Sequence, residues 1–429
     1  MTTLNKDIGL IQGIGLLATS LLGTSVFVVP AIAVSIAGEQ SSIAWWCMLA
    51  LILPVAFIFA KLGQQFPSAG GAPFLIGKAL GKPAEAAFGI LFLAAIPIGL
   101  PVALDFALGF LQAITPLTPG LVLAVKLGTL AVIWLICRQP PRLSGKVQTL
   151  IAIAIILCVL LMRALVAGET VTNDTIAHSS ATATNWVALS AAMAVMIWCF
   201  AGIEAFIHMS EEFKNPHRDV PLALIGGVLV ATLIYLFCSQ SVWQVMGAIT
   251  ERQAGSAVPH IMEEFLGSPG LWLTSLLGFL ACFASINAYT QGFSRLLWSI
   301  ARDGWLPGRI GQLNQHGVPG KALNTVILIC MTATTLTTAT AMPVSQLLEF
   351  ANGIFVLLYL TTMIAGVVLL RGFWRAIAMV ASLLCALLCL SLGAELLYAL
   401  CGLTLAFTLV YWRRSARARY LALAEQPVL

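Results

Sequence analysis

Residues 8–36 read IGLIQGIGLLATSLLGTSVFVVPAIAVSI, without one charged side chain. A hydrocarbon core of about 30 Å is crossed by about 20 apolar residues in a helix, so the stretch is long enough to span a membrane with residues to spare. Its middle is unlike a plain lipid-facing helix. Ser20, Gly23, Thr24 and Ser25 put small and polar groups at mid-depth, and Pro30 removes a backbone donor just beyond them. The stretch is therefore read as a membrane helix interrupted halfway. It is too long for a signal-peptide core and more apolar stretches follow it, so it is expected to be retained.

Outward from this segment the apolar pattern repeats. Spans are expected at 8–36, 41–62, 87–114, 121–137, 146–166, 186–209, 221–247, 271–300, 322–341, 345–370, 374–392 and 394–412, about twelve in all. Of 429 residues 60% are hydrophobic and 9% charged, and the mean hydropathy is +0.97. The fold class is thus an all-α polytopic membrane protein. A closed β-barrel would need strands alternating apolar and polar, and that alternation is missing. The connections leave no room for a soluble domain. The segment 251–266, with Val258, Ile261, Met262 and Phe265 at helical spacing, is either a short helix at the outer surface or a structured loop.

The net charge of +5 does not point to nucleic acid, because the basic residues are expected in short loops between spans. With a cytoplasmic N-terminus, Lys126, Arg163 and Arg252 fall on the outer side and every other Lys and Arg of the 22 falls on the inner side. That bias puts both termini in the cytoplasm and favours an even number of spans. The 10 cysteines all lie in apolar spans with no CxxC pair, which reads as buried small hydrophobes rather than a disulfide frame or metal site. His178, His208, His217, His260 and His316 are scattered and bring no nucleophile, base or metal ligands together, so an enzyme is not expected, nor a cofactor or metal. A channel would show a symmetric filter or ring of charge, and a sensor a signalling domain.

Span six shares the oddity of span one, reading Trp198-Cys-Phe200-Ala201-Gly202-Ile-Glu204 at mid-membrane. Two broken helices that each open a five-helix half imply an inverted repeat, with 8–166 as the first half and 186–370 as the second. Two accessory helices (374–412) and a basic cytoplasmic tail (413–429) complete the expected domain. An interrupted helix exposes unpaired N–H groups at one half and unpaired carbonyls at the other. Gly23, Thr24 and Ser25 suit a carboxylate, and the carbonyls from Trp198 to Ala201 suit an ammonium. The alternative is that Gly23 and Gly202 only allow close helix packing.

Glu204 follows the second break directly. An ionisable group at that depth costs on the order of 3 kcal/mol on insertion scales, which marks it as a proton carrier or gate, the alternative being a protonated structural carboxyl. His208 lies four residues on, on the same helix face, where it either relays a proton or caps a loop. Asp105, in a span bent by Pro97 and Pro101, either touches substrate or a cation, or makes a structural hydrogen bond. Trp198 and Phe200 are expected to line a pocket for an apolar side chain.

Four signatures in order resemble the amino acid-polyamine-organocation transporter superfamily. They are Gly23-Thr24-Ser25-Val26-Phe27 with Pro30; Lys61-Leu-Gly63 through Phe66-Pro67-Ser68-Ala69-Gly70-Gly71; Phe200-Ala-Gly202-Ile-Glu204 leading to Glu212-Phe-Lys214-Asn215-Pro216; and Arg295 through Ala301-Arg302-Asp303-Gly304-Trp-Leu-Pro307. The resemblance implies a five-plus-five inverted-repeat fold with helices 1 and 6 broken. By Gly13-Ile-Gly15, Pro97-Ile-Gly99-Leu-Pro101, Leu280-Ala-Cys282-Phe-Ala-Ser285 and Ala351-Asn352-Gly353, the chain is most similar to the bacterial exporters of that superfamily. That implies efflux of methionine, leucine, isoleucine and valine across the inner membrane, with proton linkage expected from Glu204 itself. It implies too that Gly23, Thr24 and Ser25 bind the substrate carboxylate, that Trp198 and Ala201 bind its amino group and gate the site, and that Glu204 is proton-linked. Ser25 stands where a second glycine is usual, Lys61 replaces a common glutamate, and Leu150 to Leu161 lacks the buried lysine with which some relatives replace sodium. A proton-driven importer, or a cationic amino acid exchanger using Asp105, is the alternative. Nothing in the residues sets the oligomeric state.

Overall fold

The computed structural model describes residues 6–115, 117–139, 141–168, 185–247, 255–340, 344–391 and 395–424. Their regular elements are helices, with one isolated bridge between Ile8 and Phe213. Eleven stretches are long and apolar enough to cross a membrane. The first of them contains two segments, α2 (Val29–Ala37) and α3 (Ser41–Gln65), separated by Gly38 with φ +56°. Before them α1 covers Leu10–Leu22. At 1.5 Å per residue α1 rises about 20 Å and α2 about 14 Å, so neither spans alone and the two together do. Counting α1–α2 as one crossing and α3 as the next brings the crossings to twelve.

The remaining elements are α4 (Gly71–Leu80), α5 (Lys82–Leu93), α6 (Ile96–Ile114), α7 (Pro119–Cys137), α8 (Pro141–Val166), α9 (Trp186–Met196), α10 (Ile203–Ile207), α11 (Pro216–Met246), α12 (Ala257–Leu266), α13 (Ser268–Arg302), α14 (Gly320–Thr340), α15 (Val344–Leu369), α16 (Phe373–Ser391) and α17 (Glu395–Ala424). Helix α4 was not expected, and the third span starts at Lys82 rather than at 87. Of the segment 251–266, residues 255–266 are described, and they include the helix α12. Residues 425–429 of the expected tail lie outside the described residues.

Helix α1 packs on α8, α11 and α13, and α13 packs in turn on α6. Helix α1 is buried over most of its length, while α8 covers it with one face and turns Leu150 and Leu157 outward with the other. Likewise α7, α14, α16 and α17 turn Leu135, Leu328, Leu390 and Leu405 outward. Exposed leucines of that kind on long helices are stable only against lipid, which places these helices at the rim.

The expected bend in the third span is a break. Pro97 has no N–H, so the carbonyl of Leu93 loses its helical donor, and the chain tightens at Ala94 and Ala95, whose N–H bonds Phe92 O at 3.0 Å. Helix α6 then restarts at Ile96 and carries Pro101 inside it.

Candidate substrate site between two broken helices

Between α1 and α2 the chain runs as turns from Gly23 to Val28. Gly23 is fixed by crowding: a Cβ there would lie 2.2 Å from Ser285 Cβ and 2.6 Å from Ala281 O. The second break follows α9. A 3-10 turn, Ile197–Phe200, leads to Ala201 in extended conformation and Gly202 at φ +141°. A side chain at Gly202 would be strained and would also meet Ser20 Oγ at 2.7 Å. The expected interruptions are thus both present and pack against each other.

Polar bonds join them. Trp198 Nε1–H donates to Thr24 Oγ1 at 3.1 Å. From α11 the Tyr235 hydroxyl reaches Leu21 O at 2.5 Å, Cys199 O at 3.2 Å and Ser25 Oγ at 2.7 Å. Ser285 Oγ donates to Ser20 O at 3.3 Å, tying α13 to the first break.

Beside the breaks lies a cavity with about 330 Å³ of empty volume, part of it open to solvent. Thr24, Trp198 and Ser285 give it polar atoms. Ala95, which caps α6, and Gly99 and Ala103 within it share the lining with Phe293 and Phe355. No charged side chain lines it. The character of the lining, apolar with a few polar groups at the breaks, suits a molecule whose side chain is apolar and whose charges lie at one end. Phe200, expected in the lining, is instead fully buried and stands edge-on to Tyr235, with ring centroids 6.1 Å apart.

Glu204, at the start of α10, is fully buried. Gly202 N–H donates to both carboxylate oxygens, at 3.0 and 3.1 Å. Tyr289 O–H donates to Oε1 at 2.8 Å, and Tyr359 meets Oε2 while also lying 2.9 Å from Phe200 O. Among the described residues no cation pairs with Glu204. Tyr289 also lines the cavity, so one side chain connects cavity and carboxylate.

His208 is not bonded to Glu204. Helix α10 ends at Ile207, and the buried ring places Nδ1 3.0 Å from Ala69 O, stacks on Phe92 at 5.6 Å, and leaves Nε2 without a partner. Asp105 stands away from the cavity lining and is held by Lys126 Nζ at 2.5 Å. Lys126, expected on the outer side near the start of the span 121–137, is buried within α7 and also donates to Thr338 Oγ1 at 3.1 Å. The burial has a physical reason. Lysine in an apolar helix is tolerated where a carboxylate and a hydroxyl replace water, and that partner lies on another span.

On the side of the Ile8–Phe213 bridge, Arg295 of α13 forms a buried two-point ion pair with Glu212, and Arg295 Nη1–H donates to Gln291 O at 3.0 Å. Ile8 N–H donates to Glu212 O and Lys214 N–H to Ile8 O, each at 2.9 Å, so the start of the chain is pinned to the loop after the second break.

Sequence reasoning did not single out Tyr235, Tyr289 or Tyr359. A signal existed: a phenol inside an apolar span needs a partner for its hydroxyl, and the chain has only 6 tyrosines.

Known proteins resemble this chain over most of its length. The chain is 41% identical to the L-methionine/branched-chain amino acid exporter YjeH of Escherichia coli (strain K12) over 401 residues, 93% of this chain and 95% of that protein. It is 26% identical to the cadaverine/lysine antiporter of the same strain, over 74% of this chain and 72% of that one. It is 25% identical to the human b(0,+)-type amino acid transporter 1, over 71% and 64%. Residues 8–413 match the family described as amino acid permease. With two interrupted helices around an uncharged cavity and a match over nearly its whole length, the chain belongs to the amino acid permease family, within the amino acid-polyamine-organocation superfamily.

Proposed function

We propose that this permease exports methionine, leucine, isoleucine and valine across the inner membrane in exchange for protons. The observation that carries the reading is the uncharged, partly aromatic cavity at the two breaks, together with the 41% identity to an exporter of those amino acids. The carboxylate is held at Gly23, Thr24 and Ser25, and the ammonium at the segment Trp198, Phe200, Ala201 and Gly202. Within that segment Phe200 O is close to Tyr359 and Cys199 O to Tyr235, which leaves the carbonyls of Trp198 and Ala201 as the main acceptors. The halves 8–166 and 186–370 form the inverted repeat and rock about the site, both termini are cytoplasmic, and 374–412 is accessory.

Proton linkage is supported by the count of hydrogens around Tyr359. Its hydroxyl has one proton and two acceptors, Phe200 O and the Glu204 carboxylate. With Glu204 ionised, the proton is drawn to the carboxylate. With Glu204 protonated, Glu204 donates to the phenol oxygen and the phenol turns its proton to Phe200 O. The charge on Glu204 therefore sets the bonding of the second break, beside the ammonium site. His208, buried four residues on, is the next titratable group in the chain toward the pinned loop, with no hydrogen bond of its own to Glu204.

The cationic-exchanger alternative loses support from Asp105, which is neutralised by Lys126 and lies off the cavity. The test is retention of radiolabelled methionine and leucine by preloaded cells, with and without the protein, from mildly acidic to mildly alkaline external pH. Faster pH-dependent loss of both, with lysine retained, is expected. Faster uptake, or movement of lysine, would overturn the reading.

A further inference from the structure

We infer that Tyr235 is a positioning residue that holds the two broken helices at one spacing, and so makes the site selective for α-amino acids. The inference rests on the substrate reading above and extends it to a residue that touches no substrate. Both carbonyls reached by the Tyr235 hydroxyl lie at helix interruptions. Leu21 O sits at the end of α1, and Cys199 O lies in the 3-10 turn after α9. Ser25 Oγ lies 2.9 Å from Leu21 O and 2.7 Å from the phenol oxygen. Two hydroxyl protons thus serve two carbonyls, one from each break, in a cluster that is entirely buried.

The ring is aligned as well as the hydroxyl. It stacks on Trp45 of α3 with centroids 4.9 Å apart and planes 9° from parallel, and meets Phe200 edge-on. Neighbouring α3 and α11 pack closely along their length. Tyr235 therefore joins the first break, the second break, α3 and α11 from behind, opposite the Trp198–Thr24 bond that joins the breaks at the cavity. A ligand that bonds its carboxylate to one break and its ammonium to the other reads the distance between them. With that distance fixed, an α-amino acid fits, and a β-amino acid, longer by one methylene between the two groups, does not.

The test compares leucine and β-leucine as competitors of radiolabelled methionine binding to the purified protein in lipid nanodiscs. In Tyr235→Phe the ring stays, and a buried carbonyl loses its donor. The ratio of the two inhibitory concentrations is expected to fall about tenfold, through weaker leucine binding with β-leucine little changed. A lesion that only loosens the fold weakens both competitors alike, and an unchanged ratio would overturn the inference. Should Tyr235→Phe not yield folded protein, Trp45→Phe keeps the phenol and removes the face that aligns it. The same fall at smaller size is then expected, and a constant ratio again overturns the inference. Wild-type protein that binds no neutral amino acid overturns the function on which all this rests, and that outcome is visible before any variant is made.

Discussion

Glu204 and Asp105 are both carboxylates within apolar spans, yet their surroundings have opposite chemistry. Glu204 is fully buried and bonded only to neutral donors: Gly202 N–H, Tyr289 and Tyr359. Asp105 is partly exposed and pressed against a buried ammonium, Lys126. Neutral donors can serve a carboxylate or, with a hydroxyl turned round, a carboxylic acid, so gaining a proton at Glu204 rearranges bonds without leaving a charge stranded. A proton on Asp105 would strand Lys126 in an apolar helix. The difference teaches which surroundings let an intramembrane acid gain a proton without stranding a charge: groups that donate or accept, not a fixed opposite charge.

The largest effect should come from Glu204→Gln. Glutamine keeps the volume and bonds to the same tyrosines but does not ionise. Methionine binding is expected to persist while the pH dependence of efflux from preloaded cells disappears. Efflux from the variant that still tracks external pH would move the proton site elsewhere and dissolve the comparison.

Next in size is Lys126→Met. Removing one partner of a buried pair leaves the other unpaired, a cost of about 3 kcal/mol at the lower end of the usual range. The lower end applies because the Asp105 side chain is 29% exposed. Denaturant unfolding in detergent should register the loss, and Asp105→Asn added to Lys126→Met should recover most of it. Equal destabilisation of the single and double variants would mean that the pair is not what Lys126 contributes.

A smaller effect is expected at Gly99, on the cavity face of α6. A Cβ built there meets nothing within 4 Å, unlike one at Gly23 or Gly202. Gly99→Val should thus fold normally and fill the cavity, lowering transport of methionine relative to alanine by about tenfold, the worth of a methylene or two in an apolar pocket. An unaltered ratio would take the side-chain pocket away from α6.

Much of this was legible in the residues. Small and helix-breaking side chains at mid-span marked both breaks, because few other reasons put Gly23, Thr24, Ser25 and Gly202 where lipid would favour leucine. Depth alone marked Glu204. What the sequence hid were partners across spans. Lys126 lies near enough to the outer end of its span to pass for an interfacial lysine, and only the packing of α6 on α7 shows that it meets Asp105. The three tyrosines were hidden for the same reason, since a phenol's apolar ring passes for packing until its hydroxyl has an address. Helix α4 escaped because it is short, and because Gly71, at φ +56°, lets it begin against the His208 ring, a contact between segments far apart in the chain.

The smallest expected effect bears most directly on the comparison. If Asp105 is a structural partner of Lys126 and no part of the cavity, the double variant Asp105→Asn, Lys126→Met should leave substrate choice alone. It removes both charges together, so neither is stranded, and it changes no residue in the lining. Leucine efflux should stay within about twofold of wild type, with lysine still retained, because a change confined to a remote and compensated pair leaves the site's own contacts intact. A relative whose name includes lysine gives this prediction its edge. Were Asp105 the counter-charge for a cationic side chain, wild type would carry lysine and the double variant would lose it. Retention of lysine in both, with leucine moving in both, assigns the carboxylate at Asp105 to the scaffold.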